Sequence, residues 1–598
     1  MKIRQSWQVL GMAVVLGSTG WAQLTRRMSV ASNGTEGNGD SKYPSISADG
    51  SSVAFYSLAS NLVPGDTNGV SDILFRDRVS GLTENASVDS NEAPSNGGAD
   101  TLPPSVSADG NLVAFASIAT NLVPGDTNGT WDVFVRNRLS GTIQRVSVSS
   151  AGVQGNAQSF YASISADGRY VAFGSDATNL VPGDTNGAMD IFVRDLVNAV
   201  TERVSLVGIA NEADGLSIEP SISADGRYVA FTSFATNLEH PINAFADVFR
   251  RDRQAQTTFR ISRTPGPGTA PNGHSTLPSI SADGIDVAFV SRASNIVSGD
   301  TNADWDVFCY DGSTGNLEIV SVSSTGTLAD ASSDRPSISA DGSYVAFASE
   351  ATNLVSGDTN GVSDVFVRSR SSGTTVRASI TSGGAQADGS SEWPSISADG
   401  RLVAFSSSAT NLVPGDTNGL LDVYLFDRDT SGFTSLCLPG SGGVIACPCS
   451  NPPTVSGRGC NNSAGTGGAL LTASGMAYLS TDSLVFTTFG EKPTALSIVL
   501  QGTTYLSSGV VYGQGVRCVG GTLKRLYTKT ASLGSITAPD FGAGNPSVSA
   551  RSAALGNTIQ SGQSRWYHVY YRDGVILGGC PATSTFSTTQ TGRVDWSM

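Results

Sequence analysis

Residues 104–135 read Pro104-Ser-Val-Ser-Ala-Asp109-Gly-Asn-Leu-Val113-Ala-Phe115-Ala-Ser-Ile-Ala-Thr-Asn-Leu-Val-Pro-Gly-Asp126-Thr-Asn128-Gly129-Thr-Trp-Asp132-Val-Phe-Val135. The stretch holds two apolar runs, Leu112–Ser117 and Asp132–Arg136, flanked by short β runs at Ser105–Ser107 and Ile143–Val148. Asp-Gly at 109–110, Asn-Gly at 128–129 and Ser-Gly at 140–141 separate them. Asp-Gly and Asn-Gly supply the positive-φ positions that tight hairpin turns need. The pattern predicts four short antiparallel strands.

Working outward, the Ser-Ala-Asp-Gly turn recurs with its aspartate at Asp49, Asp109, Asp167, Asp225, Asp283, Asp341 and Asp399, stepping 60 residues once and then 58 five times. A fixed period of this length marks a repeat architecture. A four-stranded unit cannot cover both its faces alone, but seven arranged radially can, and that is a β-propeller. Val-Ala-Phe and Val-Phe-Val are continuous apolar runs, as expected of strands covered on both sides. Seven sets of the first three strands accompany eight candidates for the last, because Leu24–Val30 matches Thr142–Val148 and Phe433–Cys437 matches it too. Either end of the chain can therefore close the ring.

The repeat resembles the WD-like propeller repeat of the TolB type, in its secreted bacterial form with Gly-Asp-Thr-Asn-Gly insertions, over residues 24–437. The resemblance implies a propeller. TolB itself has six blades against the seven expected here, and its partners do not carry over. Propellers serve enzymes, receptors and scaffolds alike.

Composition sets limits on the rest. Charged residues make up 15% of the 598, Gly numbers 69, and the net charge is −15. That balance speaks against a nucleic-acid partner, which requires clustered Lys and Arg. Lys2 and Arg4 precede the apolar run Val9–Gly17, and Gly20 and Ala22 stand before Gln23. This reads as a signal peptide over residues 1–22, too short to span a membrane permanently, so the mature chain is expected to be exported: secreted, at the cell surface or periplasmic. Residues 23–437 form the propeller, 438–468 a Cys-, Gly- and Pro-rich linker, and 469–598 a small β-sandwich-like domain, making an all-β chain.

Six of the seven cysteines follow the repeats: Cys437, Cys447, Cys449, Cys460, Cys518 and Cys580. An even set in one region of an exported chain reads as up to three disulfides with 15 possible pairings. Cys309 replaces a Val or Phe and reads as a buried small hydrophobe. β runs are expected at Met476–Leu479, Leu484–Phe489, Ala495–Leu500, Leu523–Thr528, Ser547–Ser552 and Trp566–Tyr571. This ending is similar to the Cys-bracketed β module that closes many exported bacterial repeat proteins, with Arg565-Trp566-Tyr567 and Tyr571-Arg572-Asp573 as the matching residues.

The candidate metal chemistry is a repeated Asp-x-Asn-Gly-x-x-Asp. Its copies are Asp66, Asn68 and Asp72; Asp126, Asn128 and Asp132; Asp184, Asn186 and Asp190; Asp358, Asn360 and Asp364; and Asp416, Asn418 and Asp422. A sixth, Asp300, Asn302 and Asp306, carries Ala for Gly. Oxygens two apart on a tight turn converge, and a third carboxylate can complete part of a Ca²⁺ shell, although calcium asks for six to eight oxygens. The alternative is a turn in which Asp and Asn bond their own backbone. The fourth copy, Asn237-Leu-Glu-His-Pro-Ile-Asn-Ala-Phe-Ala-Asp247, omits the motif and is one residue shorter.

Nucleophilic catalysis has little to build on. The histidines are His240, His274 and His568, and no Gly-x-Ser-x-Gly elbow occurs. His240, in the aberrant fourth loop, is the odd side chain that would mark an axial site. The reading is a non-enzymatic binding or scaffold protein that engages protein or glycan. A polysaccharide hydrolase or lyase, and a calcium-stabilised structural protein, are the alternatives.

Overall fold

The computed structural model describes residues 25–596, apart from 79, 101, 242, 267–268, 303, 383, 429–432, 438, 441–443, 450, 454–457, 475–476, 478–481, 483, 561–562, 574 and 576–584. The expected signal peptide, most of the run Met476–Leu479 and Cys580 lie outside the described residues. Two compact units divide at residues 428 and 429.

The first unit is a seven-bladed β-propeller. Each blade is a four-stranded antiparallel sheet. In blade 3 the strands are Ser159–Ile164, Tyr170–Ser175, Asp190–Asp195 and Val200–Arg203, running from the axis outward. The Val-Ala-Phe run explains how blades stack. Val229 and Phe231 of blade 4 pack against Ala172, Ile191 and Val193 of blade 3. Ala230 faces the other way, onto Val287 and Phe289 of blade 5. Large and small side chains thus meet at each interface, and the phenylalanines stack within their own sheets, Phe231 on Phe249 at 6.0 Å and Phe289 on Phe308 at 5.7 Å.

The turn that defined the repeat also ties the ring together. The Ala48 N–H donates to the Ala108 carbonyl, Ala108 to Ala166, and so on through Ala224, Ala282 and Ala340 to Ala398, whose N–H returns to the Ala48 carbonyl at 2.9 Å. Seven backbone hydrogen bonds close a circle. Within each turn the aspartate caps its own backbone: Asp109 Oδ1 accepts from Ser107 Oγ at 2.7 Å and from the Asn111 N–H at 3.0 Å, while Gly110 takes φ 73°.

The question of closure is answered by the N-terminal strand. Thr25–Arg27 pairs antiparallel with Asp422–Asp427 and supplies the fourth strand of blade 7. The other candidate, Phe433–Leu436, pairs instead with Thr591–Asp595 in the second unit.

In that second unit a sheet built on Leu496–Gly502 and Ser564–Arg572 faces a smaller sheet of Leu470–Ser474, Val485–Phe489 and Thr537–Ala538. Phe486 meets Tyr567 between them at 4.6 Å. Disulfides join Cys437 to Cys518 and Cys447 to Cys460, and Cys449 is disulfide-bonded as well. Cys309 is free and fully buried, as expected. One expected strand is a helix. Val548–Ala554 is α-helical, with Ser547 as N-cap accepting from the Ala550 N–H. Ser at the cap and the alanines after it favour helix where the short β run was read. Thr504–Tyr512 and Gly515–Gly520 form a hairpin that the sequence reading did not contain.

Candidate functional site

The innermost strand of a blade carries a bulge. In blade 1, Lys42 lies opposite Tyr56 and Ser45 opposite Ala54, so three steps on one strand answer two on the other. The extra residue is held at positive φ, and in six blades it is not glycine: Tyr43 at 58°, Tyr161 at 59°, Glu219 at 57°, Leu277 at 54°, Arg335 at 51° and Trp393 at 55°. Left-handed backbone is uncommon for bulky residues and costs about 1–3 kcal/mol at each position. Blade 2 differs: Ala99 to Ser105 spans the two additional residues of its 60-residue step, and Pro103 stands at the corresponding place.

The side chain at this position changes from blade to blade. Tyr161, Glu219, Leu277, Arg335 and Trp393, with Pro103, line an axial cavity of about 520 Å³. Tyr43 packs edge-on against Trp393 at 4.7 Å. The serines two residues on, such as Ser163 and Ser221, also line it and link neighbouring blades, Ser163 Oγ accepting from the Ile222 N–H at 3.1 Å.

The cavity has two chemically distinct walls. On blades 6, 7 and 1 the Arg335 guanidinium lies 4.2 Å from the Trp393 ring centroid, with Asp334 Oδ2 at 3.0 Å and Glu392 Oε2 at 3.3 Å from its Nη1. Lys42 Nζ sits 5.0 Å over the Tyr43 ring. On blades 3 to 5 Glu219 Oε2 accepts from Thr232 Oγ1 at 2.8 Å and from the Leu277 N–H at 2.9 Å. Burial raises the Glu219 carboxyl above the usual range against those two bonds. Burial, and then the charges of Glu219 and Asp100, raise the Tyr161 hydroxyl. Aromatic platforms beside fixed charges suit a ligand with apolar faces and polar edges.

The Asp-x-Asn-Gly-x-x-Asp loops lie elsewhere, at the entry to each third strand. The Asn makes an Asx turn, as Asn186 Oδ1 accepts from the Ala188 N–H at 2.9 Å, and its amide donates to the last aspartate, Asn186 Nδ2 to Asp190 Oδ2 at 2.9 Å. Asn360 and Asn418 repeat the arrangement. Asn360 Nδ2 donates to Asp364 Oδ2 at 2.9 Å and to the Ala387 carbonyl at 3.0 Å. Asn418 Nδ2 donates to Asp422 Oδ2 at 3.1 Å and to the Gly37 carbonyl at 3.0 Å, while its Oδ1 accepts from the Leu420 N–H at 2.9 Å. Asn128 Nδ2 likewise donates to Asp132 Oδ2 at 3.0 Å. The expected calcium shell drew on the asparagine oxygen. In these loops that oxygen is turned to the loop backbone, and what faces the last carboxylate is the amide nitrogen, a donor that no cation can use.

A partner that the sequence reading missed joins them. An arginine on the fourth strand reaches the two acids: Arg203 Nη1 lies 3.0 Å from Asp190, 3.3 Å from Asp184 and 2.8 Å from Glu212. Oxygens of those three acids lie within 4.8 Å of one another. Burial, reinforced by Asp190, pushes the Asp184 carboxyl up to about 6 in spite of Arg203.

Arg145 serves Asp126 and Asp132, Arg377 serves Asp358 and Asp364, and Arg27 serves Asp416 and Asp422. Arg260 pairs with Asp247 in the aberrant blade 4. In blade 1 Asn85 stands at the arginine position; Asp72 is bonded by Ser87 Oγ at 2.6 Å and Asn68 Nδ2 at 3.1 Å, and burial raises the Asp66 carboxyl. In blade 5 the position is Ile319, beside Asp300, Asn302 and Asp306. The arginine offset is visible in the sequence: thirteen residues after the last aspartate in blades 2, 3, 4 and 6.

The histidines do not mark the cavity. His240 is exposed on the fourth loop and is not among the lining residues. His274 Nδ1 accepts from the Ala246 N–H at 2.9 Å between Phe234 and Phe245. His568 is fully buried in the second unit.

No family model matches the chain, and no curated protein matches it. Among solved structures it is similar to a putative TolB from Agrobacterium tumefaciens, at 18% identity over 47% of this chain and 79% of that one, with a TM-score of 0.30. It is similar to an oligogalacturonate lyase in complex with manganese, at 13% identity over 69% and 94% with a TM-score of 0.43. TolB from Acinetobacter baumannii is similar at 18% identity over 57% and 63%, with a TM-score of 0.31. These likenesses reach the propeller-like fold and nothing finer.

Proposed function

We propose that this chain is an exported, non-enzymatic binding protein whose propeller engages a glycan or a protein segment at the cell envelope or outside the cell, with the axial cavity as its recognition site. One observation carries the reading. In a chain of near-identical blades, the bulged, left-handed position that faces the axis carries Tyr, Glu, Leu, Arg or Trp according to the blade. Backbone strain held at five places in one cavity, with a sixth at Tyr43 packed on Trp393, is the pattern of a site that positions side chains for a ligand. Trp393 with Tyr43 offers a stacking surface, and Arg335 and Glu219 offer opposite charges on separate walls. Disulfides in the second unit accord with an oxidising compartment. No helix among the described residues is long and apolar enough to cross a membrane.

The test is a screen of the full chain against envelope oligosaccharides and peptides, followed by titration calorimetry. The expected result is a ligand whose affinity falls at least about tenfold in Trp393→Ala, since truncating an aromatic hot spot costs about 2 kcal/mol or more and tenfold is about 1.4 kcal/mol. A ligand that binds Trp393→Ala and Arg335→Gln as well as the parent chain would remove the cavity from consideration.

A second reading rests on Glu219. A carboxyl raised by burial in a cavity is what a general acid requires. Polysaccharide cleavage that is abolished by Glu219→Gln, with ligand affinity retained, would convert the binding protein into a hydrolase or lyase.

A further inference from the structure

Blades 2, 3, 4, 6 and 7 each set an arginine against the last aspartate of the loop, and blades 1 and 5 do not. In blade 3 a guanidinium sits among Asp184, Asp190 and Glu212. In blade 5 the register that places Arg203 opposite Phe192 places Ile319 opposite Phe308. The two acids remain. Asp306 is fully buried and Asp300 is 8% exposed. Asp306 Oδ1 accepts from Ser321 Oγ at 2.6 Å, but Asp306 Oδ2 and Asp300 Oδ1 are both buried without a hydrogen-bond partner. Asn302 directs its amide to the Ala329 carbonyl at 3.2 Å, without the direct bond that Asn186 makes to Asp190. Burial, with the charges of Asp300 and Asp304, pushes the Asp306 carboxyl up to about 6, although Ser321 and the nearby Asn302 side chain favour its charged form. Blade 1 compensates for its own missing arginine, since Asn68 Nδ2 reaches Asp72 Oδ2 and Ser87 reaches Asp72 Oδ1. Among the described residues blade 5 has the one loop of the series in which both acids carry a buried oxygen without a partner. In the other motif loops only the first aspartate does. Two buried carboxylates without a counter-charge are costly, because isolated charge in a low dielectric demands a partner.

We infer that the blade 5 loop binds one divalent cation, held by Asp300 and Asp306, in the place that arginine occupies in the sister blades. The donors are oxygens only, and two carboxylates with water completing the shell is the chemistry of calcium rather than of a soft metal. The remaining loops satisfy their last aspartate from within the chain, so the expected stoichiometry is one ion per chain.

The experiment is calcium titration of the metal-stripped full chain by calorimetry, with thermal unfolding in parallel. The expected result is a single site per chain and a higher unfolding midpoint with calcium, because an ion that binds only the folded state must stabilise it. Ile319→Arg supplies the missing guanidinium and should abolish both the heat and the calcium-dependent shift. Asp306→Asn, nearly isosteric, should abolish the heat even if the arginine variant fails to fold. An absence of binding at millimolar calcium overturns the inference. So does binding that survives Asp306→Asn, or a stoichiometry of several ions per chain.

Discussion

Arg203 shows how one side chain decides what a cluster of acids can be. With the guanidinium present, Asp184, Asp190 and Glu212 are an internal ion network; without it they are three carboxylates in reach of one another. Removing one partner of a buried pair costs about 3–5 kcal/mol, because the other is left buried and charged. Arg203→Met should therefore lower the unfolding midpoint markedly in chelator, and added calcium should restore part of the loss. Restoration by calcium would separate an electrostatic role for Arg203 from simple packing. His568 poses the converse case. It is buried with neither ring nitrogen hydrogen-bonded, and burial, aided by the charge of Arg517, pushes its pKa down to about 3. A base whose folded pKa lies below its unfolded value near about 6.5 is protonated first in the unfolded chain. Stability then falls as pH drops from about 6.5 towards about 3, and above that window this residue contributes no pH dependence. Calorimetry of the second unit's transition between about pH 7 and pH 4.5 should show that loss, and His568→Phe should diminish it.

At the scale of the element, the bulge is what converts a repeat into a site. Replacing a partly buried leucine by glycine ordinarily costs more than replacing it by alanine, because glycine adds backbone entropy to the lost contacts. At Leu277 the order should invert. With φ at 54°, alanine keeps the left-handed penalty and glycine removes it, so Leu277→Gly should be more stable than Leu277→Ala by about 1 kcal/mol. Paired denaturant titrations would decide it, and the usual order would mean that the bulge stores no strain. The same element marks the limit of what the sequence disclosed. Ser-Ala-Asp-Gly and Val-Ala-Phe declared the blades because turn chemistry and two-sided burial are local properties. The bulge was hidden because nothing local announces left-handed Tyr, Glu or Trp before proline or alanine; the residue before proline normally prefers an extended conformation. The variation at that position was nonetheless in plain view: Tyr43, Pro103, Tyr161, Glu219, Leu277, Arg335, Trp393. The fourth-strand arginines were legible in the same way, at a fixed offset from the loop aspartates, but their meaning depends on a cross-strand register. The asparagines of the loops, Asn360 and Asn418 among them, were visible as motif members, yet which end of the amide meets the carboxylate follows only from the folded turn. Helix at Val548–Ala554 was missed because a short run of Val and Ser fits either state until a cap is recognised.

For the whole molecule the governing fact is closure. A propeller gains its last interface only when the two ends of the repeat array meet, and here three residues near the N-terminus accomplish it. Thr25–Arg27 completes blade 7, and Arg27 brings the counter-charge for Asp416 and Asp422, 3.6 Å and 3.1 Å from its Nη1. Ser29 Oγ adds a hydrogen bond to Asp422 Oδ1 at 2.5 Å. The seven-membered circle of alanine hydrogen bonds does not involve this strand, so the axis and the rim are closed by independent means. A chain lacking residues 24–30 should keep its axial circle yet lose the outer edge of blade 7, exposing an unpaired strand and two uncompensated buried acids. The expected outcome is a lower unfolding midpoint and a concentration-dependent tendency to associate through the open edge, read by calorimetry and light scattering. A peptide of residues 24–30 added in trans should reverse both effects, and the same peptide with Arg27→Gln should do so more weakly. If the truncated chain unfolds at the parent midpoint, closure rests on the alanine circle and the blade 7 interface alone, and the N-terminal strand is an accessory to a ring that is already shut.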